Sequence, residues 1–336
     1  MSIILNHEHN IESMAMRDAY VEALMKAAEE NDRVLAVDAD LSRAINLGRF
    51  IEKYPGQMIN CGVQEANMYG VSAGLSVMGF IPYAHTFACF ASRRAFDQIF
   101  LSCAYAKLNV RVVGSDPGVT AIYNGGTHNA LEDLSLFRVV PGMTIIEPSD
   151  TTMMKDLVYQ TASLYGMFYI RLIRIAMPKL YEEGSTFTIG KAVQLREGKD
   201  VTIIATGICT NEALKAAKEL EQEGISARVL NMFTIKPIDR EAIIAAAEET
   251  GAIVTAENHN FINGLGAAVA EVLVENCPIP MERVGVHDSF GEVGPYDYLV
   301  QHFGLGSTGI VAKAKKVFER KGLKSSRAVA ISSIQE

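Results

Sequence analysis

The sequence predicts an α/β protein made of two doubly wound, mostly parallel sheets, and three observations carry that prediction. Apolar runs of strand length alternate with helical periods along most of the 336 residues. The runs are apolar throughout rather than at every second position, as in strands covered by helices on both faces. The alternation lapses once, between Ala176 and Lys199, where Pro178, Gly184, Gly190 and Gly198 interrupt any period.

In the first block, strands are expected at 34–37, 57–60, 80–84, 110–113, 143–146 and 168–172. Helical patterns lie near 12–30, 64–78, 90–106 and 150–163. The lapse at 176–199 reads as a joint between two domains, placed at 10–185 and 190–325. The second block repeats the logic with strands at 201–205, 227–231, 253–256 and 284–286. Helices at 211–222, 239–249 and 264–274 fall between them, and both chain termini read as polar tails.

Composition narrows the class. Apolar residues make up 49% of the chain, yet no run approaches the roughly 20 needed to cross a bilayer. No signal-type segment opens the sequence. A net charge of −8, with no basic patch, argues against nucleic acid and membrane surfaces as partners. The five cysteines are scattered, without a Cys-x-x-Cys pair, and read as free thiols of a reducing, cytoplasmic compartment.

Candidate chemistry concentrates in residues 60–133. Asn60-Cys-Gly-Val-Gln-Glu65 turns from a strand through a glycine into an apolar helix, so that Glu65 starts the helix. Such an acid normally complements the helix dipole. Here Tyr69, Val71 and Leu75 mark the helix as buried, and a carboxylate beside it needs a partner or a raised pKa. The next strand ends in Thr86-Phe87, followed by Phe90 and Arg93-Arg94-Ala95-Phe96-Asp97-Gln98. A Gly-rich segment then runs from Gly114 to Asp133, with a helix expected from about Asn129. Loops at the strand ends of open α/β sheets are where ligands bind.

Over these motifs the chain resembles transketolase, specifically its C-terminal half, and the likeness runs from about residue 10 to 320. The resemblance implies a pyrimidine-binding domain followed by a transketolase C-terminal domain. It implies that Glu65 shares a proton with the aminopyrimidine of thiamine diphosphate, and that Phe87 stacks on that ring. Phe90 reads as core of the following helix, and the likeness also places it on the cofactor side. Asp40, in Asp38-Ala-Asp40-Leu-Ser-Arg43, matches a residue near the cofactor, whereas Arg43 is a candidate that the family pattern does not supply. His128 matches a histidine that contacts the hydroxyl and carbonyl of the transferred two-carbon fragment. Arg17 and Arg174 match arginines that hold substrate phosphate, a task for which Arg is suited. Arg171 belongs to the same cationic run.

Departures from the family pattern matter equally. Asp116 stands where transketolases usually have a His, and Ile122-Tyr123-Asn124-Gly125 where they have Gly-Glu-Asp-Gly. Asn124 can still read a donor hydroxyl as a neutral group. An anion at Asp116 predicts that common pentose and hexose phosphates are poor donors, and that a ketose with a differently placed anion is better. The sequence contains no Gly-Asp-Gly, the motif by which the family holds the Mg2+ or Ca2+ of the diphosphate. The metal is therefore assigned to another polypeptide: an N-terminal transketolase subunit, in an α2β2 assembly with contacts between pyrimidine domains. The expected activity is ketol transfer from a ketose, phosphorylated or otherwise anionic, to an aldose. The alternatives are a beta subunit of a 2-oxo acid dehydrogenase and a non-catalytic remnant of a thiamine enzyme. Glu257-Asn-His259 with Asn263-Gly-Leu-Gly266 reads as structural and as a subunit contact.

Overall fold

The computed structural model describes residues 1–332 along the backbone and side chains to residue 322. Twelve strands follow one another: β1 (Val34–Asp38), β2 (Met58–Asn60), β3 (Ile81–Phe87), β4 (Arg111–Ser115), β5 (Met143–Ile146) and β6 (Met167–Leu172), then β7 (Val193–Arg196), β8 (Val201–Ala205), β9 (Ala227–Asn231), β10 (Thr234–Lys236), β11 (Ile253–Asn260) and β12 (Met281–Val286). They form a seven-stranded sheet, β10-β5-β6-β4-β3-β1-β2, and a five-stranded sheet, β12-β11-β8-β9-β7. All pairings are parallel except β10 on β5 and β7 on β9, which close one edge of each sheet. The central strands β1, β4 and β6 are buried along their whole length, which is why their sequences show no polar face.

Alternation within each strand feeds two cores. Val34, Ala36, Tyr83, Val113 and Ile170 join one core, which also takes Val201, Ile203 and Ala205 from the second sheet. Leu35, Val37, Ala84, Val112 and Tyr169 join the other, with Ile204 and Leu230. Each core is thus continuous across both domains. On the first, Met16, Tyr20 and Leu24 of helix Met16–Glu30 pack beside Met153, Met154 and Leu157 of helix Thr151–Thr161. Two helix starts are fixed by their cap residues. Asp150 accepts from Met153 N at 2.8 Å, and Asp239 from Ala242 N at 3.1 Å.

Several elements differ from the sequence expectation. The joint at 176–199 contains β7, a strand too short and polar to show a period. It is also paired with the N-terminal stretch, through bridges Ser2↔Thr186, Leu5↔Tyr181 and Ile11↔Pro178. That segment is therefore a structured strap rather than a polar tail, and the first helix starts at Met16 instead of residue 12. β10 lies beyond the joint in sequence yet completes the first sheet. The helix expected at 90–106 is wound partly in wide π turns, over Phe90–Arg94 and Ile99–Tyr105. The helix expected from Asn129 starts at Asp133. At the C-terminus, helix Ser307–Ser332 extends into the expected polar tail, whose last four residues, 333–336, lie outside the described residues. Among the described residues no helix is long and apolar enough to cross a membrane.

Candidate active site

Parallel pairing delivers the C-terminal ends of β1, β2, β3, β4 and β6 to one edge of the first sheet, and every candidate residue except Arg17 and Arg171 lies at or beyond one of these ends. The register aligns Phe87 of β3 with Ser115 of β4, and Ser115 with Leu172 of β6. Asp116 and Arg174 therefore emerge side by side. After β2, Gly62 takes a φ of +73°, and the turn brings Glu65 in at the first position of helix Glu65–Val77. Asn60 braces this turn by accepting from Gly62 N at 2.9 Å.

Glu65 is only 1% exposed. Its two carboxylate oxygens both accept from Arg94 Nη1 at 2.9 Å, and Thr86 Oγ1 lies 3.5 Å from Oε1. The Arg94 guanidinium also stands 4.0 Å over the Phe90 ring. Phe87, Phe90 and His128 form an aromatic triangle, with His128 edge-on to Phe87 at 5.7 Å and to Phe90 at 5.3 Å. Phe90 is half-buried beside the half-buried His128, and it packs with Phe87 against the small core of Ala88, Cys89 and Ala130. Thr127 Oγ1 and His128 Nδ1 are 2.9 Å apart. Phe90, Arg93, Arg94, Thr127 and His128 line a cleft of about 490 Å³.

The Glu65–Arg94 pair has no signature in the sequence. Both arginines of Arg93-Arg94 stand in a helical pattern, here a π turn, from which Arg94 reaches Glu65 while Arg93 donates to Thr127 O at 2.7 Å. A second acid, Asp38, joins Asp40 at the end of β1 without having been singled out by the family likeness. Asp40 is exposed and exchanges hydrogen bonds with Asn60, whereas Asp38 is fully buried. Asp38 Oδ2 accepts from Leu41 N at 2.8 Å, Oδ1 has no hydrogen-bond partner, and burial pushes the carboxyl up to about 6. An acid closing the apolar run Val34-Leu-Ala-Val is the signal that could have found it.

Asp116 is 1% exposed in the left-handed region, at φ +56°. Arg174 Nε lies 2.9 Å from its Oδ1, although outside hydrogen-bonding geometry, and Ser115 Oγ donates to Oδ2 at 3.0 Å. Burial raises its carboxyl to about 6, against the opposing charges of Arg174 and Arg17. Arg17 donates to Ala44 O at 3.0 Å and leaves its buried Nε without a partner. Arg43 and Asn124 are exposed, the latter on the turn Gly118–Asn124. In that turn Ile122 has φ +46°, a conformation that suits glycine and strains a β-branched residue.

Arg171 does not belong with the cations of this edge. It is fully buried, pairing with Asp133 at 2.8 Å and Glu147 at 2.7 Å and donating to Asn258 O at 2.8 Å. Asn258, at the end of β11, holds the Gly-rich loop by accepting from Val119 N and donating to Pro117 O. A Cβ on Gly118 would collide with Asn258 Oδ1, so this approach requires the glycine. Glu257 accepts from Leu265 N and Gly266 N at the start of helix Leu265–Asn276. The segment 257–266 is therefore a brace between domains in this chain.

The structure thus places an acid and a pair of aromatic rings at one set of strand ends in the first of two α/β domains. The family models for "Transketolase, pyrimidine binding domain" and "Transketolase, C-terminal domain" match residues 12–179 and 190–310. A 6-deoxy-6-sulfo-D-fructose transketolase subunit of Clostridium sp. (strain MSTE9) is 52% identical over 94% of this chain and 98% of its own. A subunit of an apulose-4-phosphate transketolase from Phocaeicola vulgatus is 37% identical over 90% and 96%. Among solved structures, a split-gene transketolase described as an inactive beta4 tetramer superposes with a TM-score of 0.85 at 44% identity, covering 92% of this chain and 100% of that one. The chain belongs to the transketolase family. It is a transketolase-type transferase that acts as a subunit, and these matches favour that reading over a 2-oxo acid dehydrogenase component.

Proposed function

We propose that this chain supplies the pyrimidine side of the active site in a split transketolase whose donor is a ketose with an anionic tail. A buried acid beside two half-exposed aromatic rings, Glu65 with Phe87 and Phe90, is the observation that carries this reading. Those groups fit the aminopyrimidine end of thiamine diphosphate: the rings offer a stacking face and Glu65 a place for one proton. When bound, the cofactor supplies the carbanion chemistry of two-carbon transfer. Glu65 holds and returns a proton at a ring nitrogen. The Arg94 contact has to open for this, and with 48% of its side chain exposed Arg94 has solvent to move into. His128 hydrogen-bonds the transferred fragment from the edge of the aromatic triangle, with Thr127 steadying its Nδ1. Asp40 lies on the cofactor side of the β1 end, and Asn124 reads a donor hydroxyl.

The diphosphate and its Mg2+ or Ca2+ fall to the N-terminal partner in an α2β2 assembly. Among the described residues of this chain no cluster of acids, histidines or cysteines suits a metal. Arg17 and Arg174 receive the donor's anionic tail. The relative at 52% identity is named for a sulfonated ketose, and we assign the same donor class here. The assembled complex should be assayed for ketol transfer with uncharged and anionic ketoses. A clear preference for an anionic donor is expected. Equal use of uncharged ketoses would contradict the assignment.

A further inference from the structure

We propose that Asp116 sets the net charge of the substrate-tail subsite, so that the enzyme takes a ketose ending in a singly charged sulfonate over one ending in a doubly charged phosphate. This selection rests on the functional reading above and adds to it the residue that chooses the tail.

Three ionic groups meet at this corner. Arg174 and Arg17 contribute two positive charges, and Asp116 removes one. Asp116 has few ways to avoid that role. It follows β4 with its backbone N donating to Leu172 O at 3.0 Å, and its left-handed conformation is one that Asp tolerates. Its side chain is fixed by Ser115 on one oxygen and by the Arg174 ion pair on the other. Because Arg174 presents Nε to the carboxylate, its terminal nitrogens make no protein hydrogen bond among the described residues. With 25% of that side chain exposed, these nitrogens can donate in parallel to an oxyanion.

The sum is one uncompensated positive charge. A sulfonate carries one negative charge at any pH at which the protein is folded, and it neutralises the subsite. A phosphate monoester carries about −1.5 to −2 at pH 7 and brings its excess charge against a carboxylate in a poorly solvated corner. Histidine, the usual residue of the family at this position, would add a donor and favour phosphate. Both tails end in a tetrahedral group with three terminal oxygens; the phosphate ester adds one bridging oxygen, so the Asp116→Asn comparison is what isolates charge.

Two ketoses that differ only in the terminal group, 6-deoxy-6-sulfofructose and fructose 6-phosphate, should be compared as donors to one aldose by the complex with its partner subunit. We expect kcat/KM to favour the sulfonate by about tenfold or more, the size of one charge repulsion in a partly solvated site. Asp116→Asn should reduce that ratio by about the same factor, chiefly through a lower KM for the phosphate, whereas a merely structural lesion would lower both donors together. An unchanged ratio in a folded Asp116→Asn complex overturns the proposal. Should that variant fail to assemble, the wild-type ratio decides, and parity or a phosphate preference overturns it. A complex that transfers no ketol unit from any ketose removes the underlying reading, and the charge selection with it.

Discussion

A carboxylate with 1% of its surface exposed needs partners, and Glu65 finds them in Arg94 and Thr86 rather than in water. Glu65→Gln keeps the shape and one acceptor for Arg94 but cannot pass a proton. We expect the assembled enzyme to lose about 100-fold or more in ketol transfer with its fold intact, the range for a lost general acid–base group. Proton–deuterium exchange at the thiazolium carbon should slow in parallel, and exchange as fast as the parent's would remove Glu65 from that role. The positions of Glu65 and Phe87 are legible in the sequence because a glycine turn and a strand end are local signals. Arg94 is not legible, since a π turn departs from the period on which sequence reading depends. Asp116 reads in the sequence as a free anion; its ion pair with Arg174 depends on the register between β4 and β6, which are separated in the chain by β5 and the helices around it.

Strand β3 carries the site on its last residues and a buried histidine just before them. His85 Nδ1 lies 3.0 Å from Val37 O of β1, and Nε2 meets the hydroxyl of Tyr20 on helix Met16–Glu30. The ring thus ties helix, β1 and β3 together as a neutral group. Burial lowers its pKa to about 4, against the usual 6.5 in an unfolded chain. A depressed folded value means that the contribution of His85 is present above pH 6.5 and is lost as pH falls towards 4. The stability difference between wild type and His85→Asn should therefore shrink by about 1.4 kcal/mol per pH unit across that window. Denaturant unfolding at several pH values measures it, and a constant difference would show that His85 does not titrate in this way. Strands such as β3 are legible from their apolar runs. β7 and β10 are not, because such short edge strands carry too little pattern, and β10 takes its place through a partner from the other domain.

The two sheets share two continuous cores, and Arg171, paired with Asp133 and Glu147, donates to Asn258 O, while Asn258 holds the Gly-rich loop to the second domain. The molecule is therefore organised to hold one edge of a sheet rigid. That edge carries Glu65, aromatic rings and the Asp116–Arg174 ion pair, and the sequence lacks the Gly-Asp-Gly that would hold a diphosphate and its metal. The lack of that motif is legible at once; the coupling of the domains through Arg171 is not, since an arginine in a strand reads first as a surface or ligand charge. These features support the proposed reading of the chain as one half of a divided active site. Ketol transfer should be measured with thiamine diphosphate and Mg2+ for the purified chain alone and after mixing with an N-terminal transketolase subunit that carries Gly-Asp-Gly. A divided site gives no turnover from the chain alone and turnover on mixing; robust turnover by this polypeptide alone would contradict it.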